Sequence, residues 1–259
     1  MYDFQIINIE KLKANISTYK VEWNSKKPFR YFSVDEFLVP DWAEKILSNY
    51  PKPDVNWEST TYINQKNKFQ KTKFEADSIF NKVFEEINHP EFLSLLSEMT
   101  GIENLIPDDE LFGGGLHQSI KGAFLDVHID YNFHPETKLH RRLNILVYMN
   151  KDWEDQFEGH LELWDMDKKE RLEKIAPLFN RMAMFETNEL SWHGHPHKLN
   201  TPDGVSRKSI AAYYYTKERD DVKDVSEHNT KFINTTGATG KMKNLKSGVK
   251  ALFERIKSK

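Results

Sequence analysis

Between residues 111 and 215 short apolar or alternating runs recur about every ten residues, a spacing that suits an all-β unit and little else. The runs fall at 116–120, 124–129, 143–149, 160–164, 172–175, 181–185, 190–195 and 207–215. Eight strands are enough for a double-sheet jelly roll. Gly113-Gly114-Gly115 has neither a following Lys-Ser/Thr nor a following helix, so it reads as a turn and not as a phosphate cradle.

The flanks differ. Residues 1–110 read as a mixed strand and helix support. The stretch 31–38 looks extended. Pro40 opens a short helix with Trp42, Ile46 and Leu47 on one face, and Pro51 stops it. A second helix is expected over 75–88, where Ala76, Ile79, Phe80, Val83, Phe84 and Ile87 make one stripe. A third is expected over 91–100, with Gly101 as its C-cap. After Tyr215 the chain turns polar. Residues 231–259 hold eight Lys/Arg and one acid, and Val249, Leu252, Phe253 and Ile256 share a helical face. A basic amphipathic helix of this kind either docks on an anionic surface or packs on the domain with its charges in water. The second reading is favoured, because one short helix is a weak membrane signal. The expected fold class is therefore α+β, mainly β: a jelly roll at 111–216, N-terminal supporting helices at 1–110, and a polar linker with a C-terminal basic helix at 217–259.

Composition narrows the chemistry. With 38% hydrophobic and 13% aromatic residues the chain can bury a core. It has no Cys, which excludes disulfides, thiolate metal sites and a cysteine nucleophile. A net charge of -3 argues against a DNA-binding domain. No apolar run reaches membrane-spanning length, and the N-terminus lacks a signal-peptide pattern. These features suit a cytoplasmic protein whose metal ligands, if any, are His and carboxylate.

His128-Ile129-Asp130 carries the sharpest signal. Strand positions i and i+2 share a face, so His128 and Asp130 project together. Two His and one carboxylate on one face make the facial triad of non-haem Fe(II) oxygenases. The ordinary alternative is a polar strand face or a His–Asp hydrogen bond. The second His would come from His193-Gly194-His195-Pro196-His197, and spacing does not choose among its three imidazoles. Arg207 opens the last strand, with Ser209, Ala211 and Tyr213 on its face. A guanidinium with small neighbours suits bidentate capture of a carboxylate, although a lone Arg at a strand start is more commonly a surface residue.

His-x-Asp, a long gap, His, then Arg-x-Ser on a final strand resembles the 2-oxoglutarate/Fe(II)-dependent dioxygenases, in their prolyl 4-hydroxylase-like branch. Residues 142–150, 159–165 and 177–185 are similar to further strands of that branch, and Glu158 stands where it often has Gly. The resemblance implies a double-stranded β-helix. It implies that Fe(II) is held by His128, Asp130 and His193, and that Arg207 pairs with the 2-oxoglutarate C5 carboxylate. Asn144 and Tyr148 would be further cosubstrate contacts, and His195 and His197 the pocket rim. O2 would be a cosubstrate and ascorbate an accessory reductant. The implied reaction hydroxylates an unactivated C–H, releasing succinate and CO2, on a prolyl residue or related amino acid in a peptide or small molecule. The carboxylate at Asp130 argues against halogenation, for which related enzymes carry a small residue. Phe124, Tyr131, Phe133, Trp164, Trp192 and Tyr213 are candidates to shield the site, His117 and Gln118 to reach it, and the loop 131–140 to act as a lid. The competing readings are a cupin-like metal-binding jelly roll without oxygenase activity, a hydroxylase of a non-peptide small molecule or glycan, and an interaction protein anchored by its basic tail.

Overall fold

Odd and even residues of the central strands face two different buried environments. On the strand β6 (His140–Tyr148), Leu143, Ile145 and Val147 join the main apolar core, while Asn144, Leu146 and Tyr148 turn the other way. On β11 (Arg207–Thr216), Ile210, Ala212 and Tyr214 do the former and Arg207, Ser209 and Tyr213 line a cavity. The computed structural model, which describes residues 2–219, 226–233 and 235, shows what stands on each side.

In chain order the elements are α1 (Ile9–Ala14), α2 (Ile16–Ser25), β1 (Tyr31–Val34), α3 (Pro40–Ser48), β2 (Glu58–Tyr62), β3 (Gln65–Lys71), α4 (Ile79–Ile87), α5 (Pro90–Thr100), β4 (Ile106–Pro107) and β5 (Gly115–Ile129). After β6 come β7 (Leu161–Asp165), β8 (Glu170–Ile175), β9 (Arg181–Glu186), β10 (Trp192–His195), β11 and β12 (Lys231–Phe232). The strands run β1-β9-β6-β11-β5-β10-β7-β8, with β3 and β12 also on β5. Every pairing is antiparallel. This is a jelly roll folded into a nearly closed barrel. Helices pack on the outer face of the β1-β9-β6-β11 sheet, and the inner face encloses the cavity.

Strand β5 joins the two sheets. Its first part, Leu116 to Ser119, pairs with β11, and its last part, Leu125 and His128, pairs with β10. Gly122 lies between them at φ 78°, a left-handed angle that costs glycine little and turns the strand. The runs at 116–120 and 124–129 are thus one 15-residue strand and not two. The glycine cluster is the turn expected. A Cβ on Gly115 would stand 2.3 Å from the Lys71 carbonyl oxygen, so β5 can begin against β3 only with glycine there.

Other boundaries shift. The second expected helix starts at Ile79 with Ser78 as N-cap, so Ala76 lies outside it. The third begins at Pro90 and ends on Gly101 at φ 74° as expected. Helices α1 and α2 and the hairpin β2–β3 were not anticipated. Their sequences are mostly polar: α2 buries only Tyr19 and Trp23, and β2 (Glu58-Ser59-Thr60-Thr61-Tyr62) has no apolar alternation. Tertiary contact, not local pattern, holds such segments. The expected basic helix lies outside the described residues.

One buried carboxylate ties the N-terminal segment to the helices. Glu86, 3% exposed on α4, accepts backbone N–H bonds from Gln5 at 2.8 Å, Ile6 at 3.0 Å and Ile7 at 2.8 Å. Removing the acceptor leaves three donors without partners in a dry place. Glu86→Leu is expected to cost about 2–4 kcal/mol, read as a lower urea midpoint at unchanged slope.

Candidate active site

The two sheets meet at β5 and β10, and there the register sets His193 directly opposite His128. Gly194 permits the approach: a Cβ on it would stand 2.8 Å from the Leu125 carbonyl oxygen. The two imidazoles lie 4.3 Å apart at their centroids, and both are buried, 5% and 6% exposed. Asp130 follows the end of β5 by one residue and keeps to the same side as His128. Its carboxylate oxygens lie 3.5 Å from His128 Nε2 and 3.5 Å from His193 Nε2. Ligand atoms of all three fall within 4.8 Å of one another.

Backbone carbonyls choose the tautomers. His128 Nδ1–H donates to Asp126 O at 2.9 Å and His193 Nδ1–H to Ser191 O at 2.8 Å. Each Nε2 is thereby turned toward the carboxylate. Burial first, and the neighbouring His128 second, push His193 down to about 3, so it is neutral. Burial works to raise Asp130, but Arg141, then His193 and His128, outweigh it and hold the carboxyl well below the usual range. Two imidazole nitrogens and one carboxylate converge there. That donor set fits a divalent transition ion such as Fe(II).

Asp130 is held from behind. Arg141 Nη2 lies 3.2 Å from its Oδ2, and Asn144 Nδ2 donates to the same oxygen at 2.7 Å. Arg141 Nε in turn donates to Asn144 Oδ1 at 2.9 Å. The guanidinium stacks 3.7 Å from the Tyr213 ring centroid and 4.5 Å from that of Tyr131.

A cavity of about 250 Å³ runs from this triad to a second basic region. Arg207, 7% exposed, donates from Nε to Gly159 O at 2.6 Å and from Nη2 to Tyr148 Oη at 3.3 Å. Its remaining N–H groups are left for a ligand. Burial raises the Tyr148 hydroxyl, so it stays a phenol. Lys68, His117, Ser119, His195 and Ser209 line the cavity beside Arg207. Burial first pushes His117 and His195 well below the ordinary imidazole range, so both are neutral.

Residues 114–215 match the model of the 2OG-Fe(II) oxygenase superfamily. That segment resembles a 2OG-Fe(II) oxygenase core. The mouse protein named prolyl 3-hydroxylase OGFOD1 is 23% identical over 212 residues, 74% of this chain and 36% of that protein, so the chain spans about a third of its relative. Two solved structures share the fold. A Trichoplax adhaerens prolyl hydroxylase, in complex with a hypoxia inducible factor peptide fragment, superposes with TM-score 0.58 at 17% identity, covering 80% of this chain and 91% of that one. A Pseudomonas putida prolyl-4-hydroxylase gives 0.55 at 13%, covering 77% and 99%.

Within this core the expected residues separate by place. His128, Asp130 and His193 come together, and Arg207 faces the same cavity. His195 lines the cavity but stands back from the triad, because the β5–β10 register shifts between it and His193. His197 lies outside, half exposed, with Nε2 3.4 Å from Glu162. Asn144 reaches the cavity but hydrogen-bonds Asp130, and Tyr148 hydrogen-bonds Arg207 from behind. His117 lines the cavity, while Gln118 turns away to Ser206. Of the aromatic shield, only Tyr131 and Tyr213 line the cavity, joined by Tyr62, Phe185 and Phe232. Trp192 precedes His193 on its strand and so takes the other face. Arg141 and Lys68 were missed. Arg141 shares the inward alternation of Asn144's strand only because a register shift re-aims it, and Lys68 sits on a hairpin with no apolar pattern. Asn144→Ala is expected to lower Ni(II) or Zn(II) affinity about 10- to 100-fold, with the fold intact by circular dichroism.

Proposed function

We propose that this chain is a 2-oxoglutarate- and Fe(II)-dependent hydroxylase of a prolyl residue or related amino acid in a peptide. The observation that carries the reading is the buried meeting of His128, Asp130 and His193 in one cavity with Arg207. With Fe(II) bound, the centre would supply oxidative decarboxylation of 2-oxoglutarate by O2 to succinate and CO2, with the second oxygen atom going to a substrate C–H.

The chain's own residues prepare this. His128, Asp130 and His193 offer three ligand atoms, with His193 neutral and Asp130 ionised. Arg141 and Asn144 fix the carboxylate rotamer. Arg207, oriented by Gly159 O and Tyr148 Oη, receives the distal carboxylate of the keto diacid. Barrel strands wall the cavity and limit water around the reacting atoms. Asp130 fills the position that halogenation would leave open.

The prolyl class is supported by the name of the mouse relative, a prolyl 3-hydroxylase, and by the peptide bound in the Trichoplax structure. Tyr62, Tyr131 and Phe232 give the cavity an aromatic wall against which a saturated ring can pack.

The test is incubation with 2-oxoglutarate, Fe(II), ascorbate and a library of proline-containing peptides, with mass detection of succinate and of a +16 product, the mass of one added oxygen. Asp130→Ala is expected to abolish both signals. Arg207→Ala is expected to raise the KM for 2-oxoglutarate about 10- to 100-fold, and that for the peptide far less. Succinate release that survives Asp130→Ala would refute the assigned role.

A further inference from the structure

Three neighbouring strands place two cations on one rung of the barrel. Lys68 on β3 pairs in register with Ser119 on β5, and Ser119 pairs with Arg207 on β11. All three side chains line the cavity. Adjacent strands are about 4.8 Å apart, so Lys68 and Arg207 are separated by about 10 Å of backbone with only a serine between them. Two long cationic side chains can lean toward each other across that gap.

The rung is unbalanced. Among the described residues the Lys68 ammonium makes no ion pair and no hydrogen bond. Burial first pushes Lys68 down to about 8, with Asp130 opposing and Arg207 and Arg141 adding to the fall. A partly buried ammonium beside a guanidinium is costly unless an anion stands between them. The neighbouring donors carry no compensating charge: His117 and His195 are neutral, and His195 Nδ1 is buried with no partner.

We infer that Lys68 is a second cation of the cosubstrate clamp, binding the distal carboxylate of 2-oxoglutarate jointly with Arg207 across Ser119. The inference rests on the function proposed above and adds a residue that lies outside the family-matched segment. It makes the cavity selective for a keto acid with a second carboxylate. It also ties the β2–β3 hairpin, which carries Lys68, to cosubstrate binding.

The experiment is isothermal titration of the full chain loaded with Ni(II), using 2-oxoglutarate and 2-oxobutanoate, which has the same keto acid but no distal carboxylate. Lys68→Met is expected to weaken 2-oxoglutarate about 10- to 100-fold and to leave 2-oxobutanoate within about twofold. Lys68→Arg is expected to retain most of the 2-oxoglutarate affinity. Because an unpaired, partly buried charge opposes folding, Lys68→Met without ligand is expected to melt at or above the wild-type temperature. Equal 2-oxoglutarate affinity in Lys68→Met and wild type would overturn the inference. So would an equal loss for both acids, or a lower melting temperature, each of which would mark Lys68 as structural. Wild-type protein that binds neither acid would instead remove the function proposed above, a result distinct from all of these.

Discussion

Two imidazole nitrogens and a carboxylate face one another at 3.5 Å. The surroundings enforce this meeting. Backbone carbonyls hold both Nδ1–H groups, burial keeps His193 neutral, and Arg141 with Asn144 holds the carboxylate ionised and oriented. The close approach of β5 and β10 at Gly194 brings the two histidines face to face. The convergence of three ligand groups is therefore built into the barrel.

The cavity has two guanidiniums with different work. Arg141 is closed off, paired to Asp130 and stacked between two tyrosine rings, so its charge belongs to the metal end. Arg207 is restrained on one edge only, leaving donors toward the cavity. Among the described residues Asp130 offsets Lys68, while Arg207 and Arg141 oppose it. The field thus runs from an acceptor cluster at one end to a cationic rung at the other. A small molecule with a keto acid at one end and a carboxylate at the other matches that polarity along its length.

Much of this was legible in the residues. Alternation exposed the strands of the barrel, because a strand buried on both faces must be apolar throughout and one that lines a polar cavity must not. The i, i+2 rule placed His128 beside Asp130, and the small residues after Arg207 marked an inward guanidinium. The hairpin that carries Lys68 was silent, since its polar sequence is held by pairing to β5 and not by any local preference. Arg141 was hidden by its neighbour Arg142, one residue away and facing elsewhere. Asn144 and Tyr148 were recognised as inward, but their partners were not.

The order of residues along the chain determined most strands of the barrel, the shared face of His128 and Asp130, and a donor set limited to nitrogen and oxygen by the lack of cysteine. Which of three alternate histidines would complete the triad was decided only by the β5–β10 register, which sets His193 opposite His128 and shifts before His195. Likewise only the pairing of β3, β5 and β11 brought Lys68 and Arg207 to one rung. Local periodicity fixes which way a side chain points; which distant side chain it meets depends on hydrogen-bond register between strands, and register is a property of the folded sheet.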